Sequence, residues 1–297
     1  MSTTRAEVMP ALGKSWAYVA LIKPDVTFLV VITTVAGFCL ASSGPIEWLR
    51  LANTLLGTTL VAAGTAALNQ YFERASDAKM RRTANRPLPL GQLQPEEALW
   101  FGTILIVAGA AYLVFCTNLL ACLLALATTV FYLGAYTPLK KRTTLATAVG
   151  AFPGALPPLI GWAAATGSLS LGAWVLFGIL FFWQFPHFMA IAWIYREDYS
   201  RAGIKMLPVV DPSGDATFSQ IVGSAALLMI VSLLPSLVGM TSVRYFFSAV
   251  VMGMAFLQIC LWANRSRTNV RAKWLMHATV IHIPLLLSFM LFDKFSR

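Results

Sequence analysis

"LANTLLGTTLVAAGTAAL", Leu51 to Leu68, carries no charge and runs directly into "NQYFERASDAKMRRTANRPLP", Asn69 to Pro89, which holds Glu73, Arg74, Asp77, Lys79, Arg81, Arg82 and Arg86. The first stretch suits a helix across lipid, since about 20 apolar residues span the hydrocarbon core. Within it "GTTLVAAGTAA" repeats small residues that let backbones approach closely in a bilayer. The second stretch marks emergence into water. Together they predict a membrane helix whose end is loaded with chemistry.

The rest of the chain repeats the apolar half of that pattern. Of 297 residues, 58% are hydrophobic and 11% charged, with a mean hydropathy of +0.72. Such a balance excludes a water-soluble domain. Nine spans are expected, at 26–43, 51–68, 98–115, 119–136, 145–165, 172–194, 218–239, 245–263 and 274–292. The expected fold is therefore all-α, a polytopic transmembrane helical bundle. Residues 1–25 read as a retained cytoplasmic segment without the ordered regions of a signal peptide, 26–292 as the intramembrane domain and 293–297 as a short extracytoplasmic tail. Cys39, Cys116, Cys122 and Cys260 show no metal-like spacing and read as small core residues.

A net charge of +10 raises the question of nucleic acid. The basic residues, however, sit in short segments between apolar runs. All of the 22 Lys and Arg residues except Arg50, Arg244, Lys294 and Arg297 fall on the side that holds the N-terminus. By the positive-inside rule that side is cytoplasmic and the C-terminus lies outside. Membrane orientation accounts for the charge, and no nucleic acid partner is expected.

"GAFPGALPPLIGWAAA", Gly150 to Ala165, places three prolines inside a span. Broken helix at membrane depth is tolerated against protein or a cavity. The segment reads as the wall of an interior chamber or as a simple kink.

If the second helix continues past Leu68, then Asn69, Glu73 and Asp77 form one stripe that drifts about 40° per step. Carboxylate and amide oxygens suit a hard cation such as Mg²⁺, whose shell substrate phosphates complete. Arg81, Arg82 and Arg86 follow within a few turns, and guanidinium groups match phosphate oxygens in pairs. The competing reading is a solvated interfacial helix with internal ion pairs. A second cluster, "YREDYSRAGIKMLPVVDPSGD" (Tyr195 to Asp215), favours the first. It brings Tyr195, Glu197, Asp198 and Lys205 to the same expected face.

At this point the sequence resembles the intramembrane prenyltransferases of the UbiA superfamily. Asn69, Glu73 and Asp77 match the Asn-x-x-x-acid-x-x-x-Asp pattern of that family's first motif. The similarity is strongest to its haem-farnesylating branch, through "YTPLKKRT", "GAFPGALPPLIGW" and "WQFPHFMAIAWIYREDYSRAGIKMLPVV". Glu73 stands where Asp is commoner, and the second cluster lacks a full Asp-x-x-x-Asp. The resemblance implies transfer of farnesyl from farnesyl diphosphate to a vinyl group of haem B, with water added, in a bacterial plasma membrane. It implies Asn69, Glu73, Asp77 and Asp198 as catalytic metal ligands for Mg²⁺ or a similar ion, with Tyr195 and Glu197 in support. Arg81, Arg82, Arg86, Lys140, Arg142 and Lys205 become candidate diphosphate contacts. Haem A synthase or a terminal oxidase assembly is the implied partner for the product.

Among three histidines, the resemblance makes His187 in "WQFPHF" a contact for haem iron or a propionate. The alternative is a buried histidine that stiffens the bundle. Two rival functions remain open at this stage. One is a prenyltransferase acting on an aromatic quinone precursor, which would share the diphosphate site. The other is a transporter, which would place no demand on clustered acids and bases.

Overall fold

A computed structural model describes residues 13–296. Residues 1–12 of the expected N-terminal segment and residue 297 of the expected tail lie outside the described residues. A short helix α1, Lys14–Leu21, precedes nine helices long and apolar enough to cross a membrane. These are α2 Pro24–Ala41, α3 Trp48–Asp77, α4 Pro95–Cys116, α5 Leu119–Leu139, α6 Ala146–Thr166, α7 Leu171–Ile194, α8 Asp215–Leu237, α9 Val243–Ser266 and α10 Asn269–Phe295. All nine expected spans are present, and the described residues contain no strand.

The largest departure from expectation is at α3. It runs nine residues beyond the expected end of its span, through the charged stretch to Asp77. Burial explains the extension: Asn69, Gln70, Glu73, Ser76 and Asp77 all turn inward. Ionic partners from other segments then satisfy a face that lipid could not.

Two close helix crossings hold the bundle together. A methyl group built on Gly37 of α2 would lie 2.0 Å from Pro158 O, and one on Gly161 of α6 would lie 2.0 Å from Thr34 O. Only glycine lets these backbones touch. The small-residue repeat of α3 works in the same way, with Gly64 set against Gly102 of α4.

The proline-rich span is broken as the sequence suggested. One helical piece ends at Gly154 and the next begins at Pro157. Buried Gln184 of α7 donates its amide to Ala151 O at 2.9 Å and so occupies a carbonyl at the break. The second piece is buried continuously from Pro157 to Ala164. This makes α6 a central wall.

At the end away from the charged stretch, Lys294 Nζ donates to Cys39 O at 2.9 Å and Leu40 O at 2.8 Å. The last carbonyls of α2 are thereby capped by a cation, the favourable sign at a helix C-terminus. Cys39, Cys122 and Cys260 are buried as expected. Cys116 is exposed instead, because it closes α4 on the bundle's outer face.

Candidate active site

Three oxygen-bearing side chains on one face of α3 each meet a cation from a different segment. Lys23 Nζ donates to Asn69 Oδ1 at 2.6 Å. Lys140, at the end of α5, forms an ion pair with Glu73. Arg86, in the loop after α3, donates to Asp77 Oδ2 at 2.6 Å. Glu73, Asp77 and Lys140 are all buried, so each charge depends on its partner rather than on water.

The loop after α3 is fixed locally. Thr83 Oγ1 donates to Asp77 O at 2.9 Å, which folds the chain back and returns Arg86 to Asp77. On the other side, α5 widens into a π-helical turn over Phe131–Tyr136. Thr137 Oγ1 takes the Tyr132 carbonyl at 2.9 Å, and Asn69 Nδ2 donates to Thr137 Oγ1 at 3.4 Å. Such turns are often found at functional sites because they re-aim side chains. Here the turn leads Tyr136 and Lys140 inward, with the Lys140 ammonium 5.8 Å from the Tyr136 ring centroid.

The second cluster forms a cover joined to the first. Buried Asp198 accepts the Arg82 backbone N–H at 3.1 Å and pairs with Arg201. The Arg82 guanidinium lies over the Tyr195 and Tyr199 rings, at 5.1 and 5.5 Å. Lys205 N donates to Lys140 O at 2.8 Å, so the cover is stitched to the residue that neutralises Glu73. Burial holds the Tyr199 phenol above its usual range, against the pull of Arg82.

The expected residues thus divide. Asn69, Glu73, Asp77, Arg86 and Lys140 converge. Asp198, Arg82 and Tyr195 build the adjoining cover, to which Lys205 contributes its backbone. The side chains of Arg81, Arg142, Lys205 and Glu197 are exposed. His187 stands on another seam: its ring stacks on Trp183, and Nδ1 is 2.8 Å from Thr279 Oγ1 of α10.

Lys23 was not singled out by sequence reasoning. It has left-handed backbone, φ 46°, and directly precedes Pro24 at the start of α2. That conformation is costly for a residue with a Cβ, and such outliers persist where the surroundings over-determine them. Burial, followed by the nearby Arg86 charge, lowers its pKa to about 7 despite Glu73 and Asp77. The available signal was a lone lysine in "IKPD", at the mouth of an apolar run.

Asp77 Oδ1 is buried and has no hydrogen bond. Together with Glu73 and Asn69 it offers the hard oxygen donors that a divalent cation takes, so the residues fit such an ion. Among the described residues no three acidic, histidine or cysteine side chains converge. Amide, water and substrate oxygens would therefore complete the shell.

Comparison with known proteins bears on the family and the fold. The profile described as the UbiA prenyltransferase family matches residues 30–285. The chain is 46% identical to protoheme IX farnesyltransferase of Solibacter usitatus, over 93% of this chain and 98% of that one. It is 36% identical to the mitochondrial protoheme IX farnesyltransferase of Arabidopsis thaliana, over 99% of this chain and 69% of that one. The fold matches that of a UbiA homologue from Archaeoglobus fulgidus bound to DMAPP and Mg²⁺, with a TM-score of 0.72, 16% identity and coverage of 93% and 98%. A digeranylgeranylglyceryl phosphate synthase structure matches with a TM-score of 0.79 at 18% identity, covering 96% of this chain and 99% of that one.

Proposed function

The chain belongs to the UbiA prenyltransferase family, and from that premise we propose that it transfers the farnesyl group of farnesyl diphosphate to a vinyl group of haem B, with addition of water, giving haem O and diphosphate. The observation that carries this reading is identity of 36–46%, over most of the chain, to proteins named protoheme IX farnesyltransferase. The ionic stripe on α3 supplies the chemistry.

Asn69, Glu73 and Asp77 would hold a divalent ion such as Mg²⁺. When bound, that ion neutralises charge growing on the departing diphosphate. Lys23, Lys140 and Arg86 already stand at the same oxygens and serve as preorganised cations for the diphosphate. Asp198, in the adjoining cover, would add a further carboxylate to the same metal-diphosphate site, and the Arg82 guanidinium lies over the Tyr195 ring beside it. Arg81, Arg142 and Lys205, exposed around the cover, are the remaining candidates for diphosphate contact.

The C1–O bond of the donor breaks with its electron pair leaving on diphosphate. The vinyl π pair then bonds to C1, and the cation left beside the porphyrin takes a water oxygen and loses a proton. Water must stay away until that last step. The contacting rings of Phe131, Phe152, Phe177 and Phe181 support such exclusion.

For haem we assign His187. Thr279 Oγ1 donates to Met276 O at 2.5 Å, so it accepts from His187 Nδ1–H. That tautomer leaves the Nε2 lone pair for iron or a propionate-bound proton.

The protein is an integral membrane protein. We place it in a bacterial plasma membrane with residues 1–25 cytoplasmic, 26–292 as the intramembrane domain and the tail outside. A haem A synthase or terminal oxidase assembly would receive the product.

Incubating purified protein with farnesyl diphosphate, Mg²⁺ and haem B, with Glu73→Gln as control, tests the assignment by mass spectrometry of the haem products. Farnesylated, hydrated haem from wild type alone is expected. Unmodified haem alongside prenylation of an aromatic quinone precursor would overturn the acceptor.

A further inference from the structure

The turn between α9 and α10, "ANRSRTNVRAK" (Ala263 to Lys273), carries four cations, and the whole stretch from Ala216 to Phe292 contains no acidic residue. Among the described residues one of the four meets a carboxylate: Arg267 pairs with Asp215 and donates to Ser213 O at 3.1 Å. Arg265 and Lys273 are exposed. Arg271 lays its guanidinium over the Trp262 ring, 4.6 Å from the centroid, and donates to Trp262 O at 2.7 Å.

Two exposed tryptophans set the depth of these charges. Trp262 lies near the end of α9, and Trp274, which is 65% exposed, follows Arg271 by three residues and so shares its side of α10. Exposed indole rings of this kind sit at headgroup level. Further into the membrane on the same faces, Val251 of α9 and Ile281 of α10 are exposed and apolar. Orienting the chain across the bilayer requires positive charge on this side and nothing more. It does not require an arginine held flat on an exposed indole, with its fork of N–H donors already ordered for phosphate oxygens.

We propose that the α9–α10 turn binds the headgroup of an anionic phospholipid, its phosphate on Arg271 with Arg265 and Lys273 in support, its glycerol beside Trp274 and its acyl chains along the apolar faces below. The site stands apart from the ionic stripe on α3 and does not depend on the prenyl-transfer reading. A soluble phosphate would meet the same cations but gain nothing from Trp274 or from the apolar faces. The bound lipid holds the start of α10, the helix whose Asn269 accepts from Arg196 of the cover at 2.7 Å and whose Thr279 meets His187.

The test uses the full chain, delipidated in detergent, with native mass spectrometry and thermal denaturation in the presence of phosphatidylglycerol, phosphatidylcholine or inorganic phosphate. Wild type should bind phosphatidylglycerol about tenfold or more tightly than phosphatidylcholine, and its Tm should rise with the former. The double variant Arg265→Gln/Lys273→Gln, which alters only exposed side chains, should lose most of that preference. Trp274→Ala keeps every charge and should also weaken phosphatidylglycerol binding, whereas Arg244→Gln, at the opposite end of α9, should leave it unchanged. Equal binding of the two lipids by wild type, an undiminished preference in the double variant or in Trp274→Ala, or an equal loss in Arg244→Gln overturns the site. Inorganic phosphate that raises Tm as much as phosphatidylglycerol does makes the turn a site for a soluble anion and overturns the lipid assignment.

Discussion

Lys23 Nζ and Asn69 Oδ1 meet at 2.6 Å although 46 positions separate them in the chain. The contact joins the strained turn before α2 to the first residue of the ionic stripe on α3. Replacing Lys23 by Gln keeps a donor and removes the charge. It should raise KM for farnesyl diphosphate and slow transfer by about 10²-fold, the scale for one lost preorganised donor. Steady-state kinetics checks this, and an unchanged KM would remove Lys23 from the diphosphate site.

The same lysine predicts a dependence on pH. Its folded pKa of about 7 lies below the ordinary value of 10.5, so between those limits the unfolded chain binds the additional proton. Stability therefore rises with pH across this window, by up to about 1.4 kcal/mol per unit for one proton, and is lost as pH falls toward 7. Denaturation of wild type and Lys23→Met in one detergent, at pH 7 and pH 9, should show the rise in wild type only.

Glu73→Gln leaves Lys140 buried opposite a neutral amide. Divalent-ion-dependent binding of farnesyl diphosphate should disappear, and turnover should fall by about 10²–10³-fold. Mn²⁺ titration followed by electron paramagnetic resonance measures the binding directly. Retained Mn²⁺ affinity would move the ion elsewhere.

Gly161→Val forces a side chain into Thr34 O across the α2–α6 crossing. Overpacking against backbone costs about 3 kcal/mol or more, so folded protein should be lost on size exclusion. Gly223, within α8, has nothing within 4 Å of a built methyl. Gly223→Ala should instead stabilise by about 0.5–1 kcal/mol through helix propensity.

His187 and Thr279 give a paired prediction. His187→Ala should change the spectrum of bound haem. Thr279→Val, which removes the acceptor that orients the ring, should weaken haem binding by about 10–100-fold while the ligand nitrogen remains. If neither variant moves the spectrum, His187 is only a packing residue of the α7–α10 seam.

Much of this was legible in one dimension because it depends on local pattern. Hydropathy alone yields nine spans, since lipid requires each backbone to satisfy its own hydrogen bonds over about 20 residues. The four-residue spacing of Asn69, Glu73 and Asp77 already puts them on one side of a helix. The glycines of "GTTLVAAGTAA" announce a close crossing without naming the partner helix.

Pairing was not legible. Arg81 and Arg82 are neighbours in sequence and look alike as cations, yet Arg82 lies over Tyr195 and Tyr199 while Arg81 faces outward. Lys23 gave only a faint signal because its role depends on a turn with positive φ and on residues dozens of positions away. Periodicity determines which face of a helix is apolar and where charge emerges from the membrane. Only the tertiary structure decides which buried charge meets which partner: burial removes water as the alternative, and packing selects the one cation that reaches each oxygen.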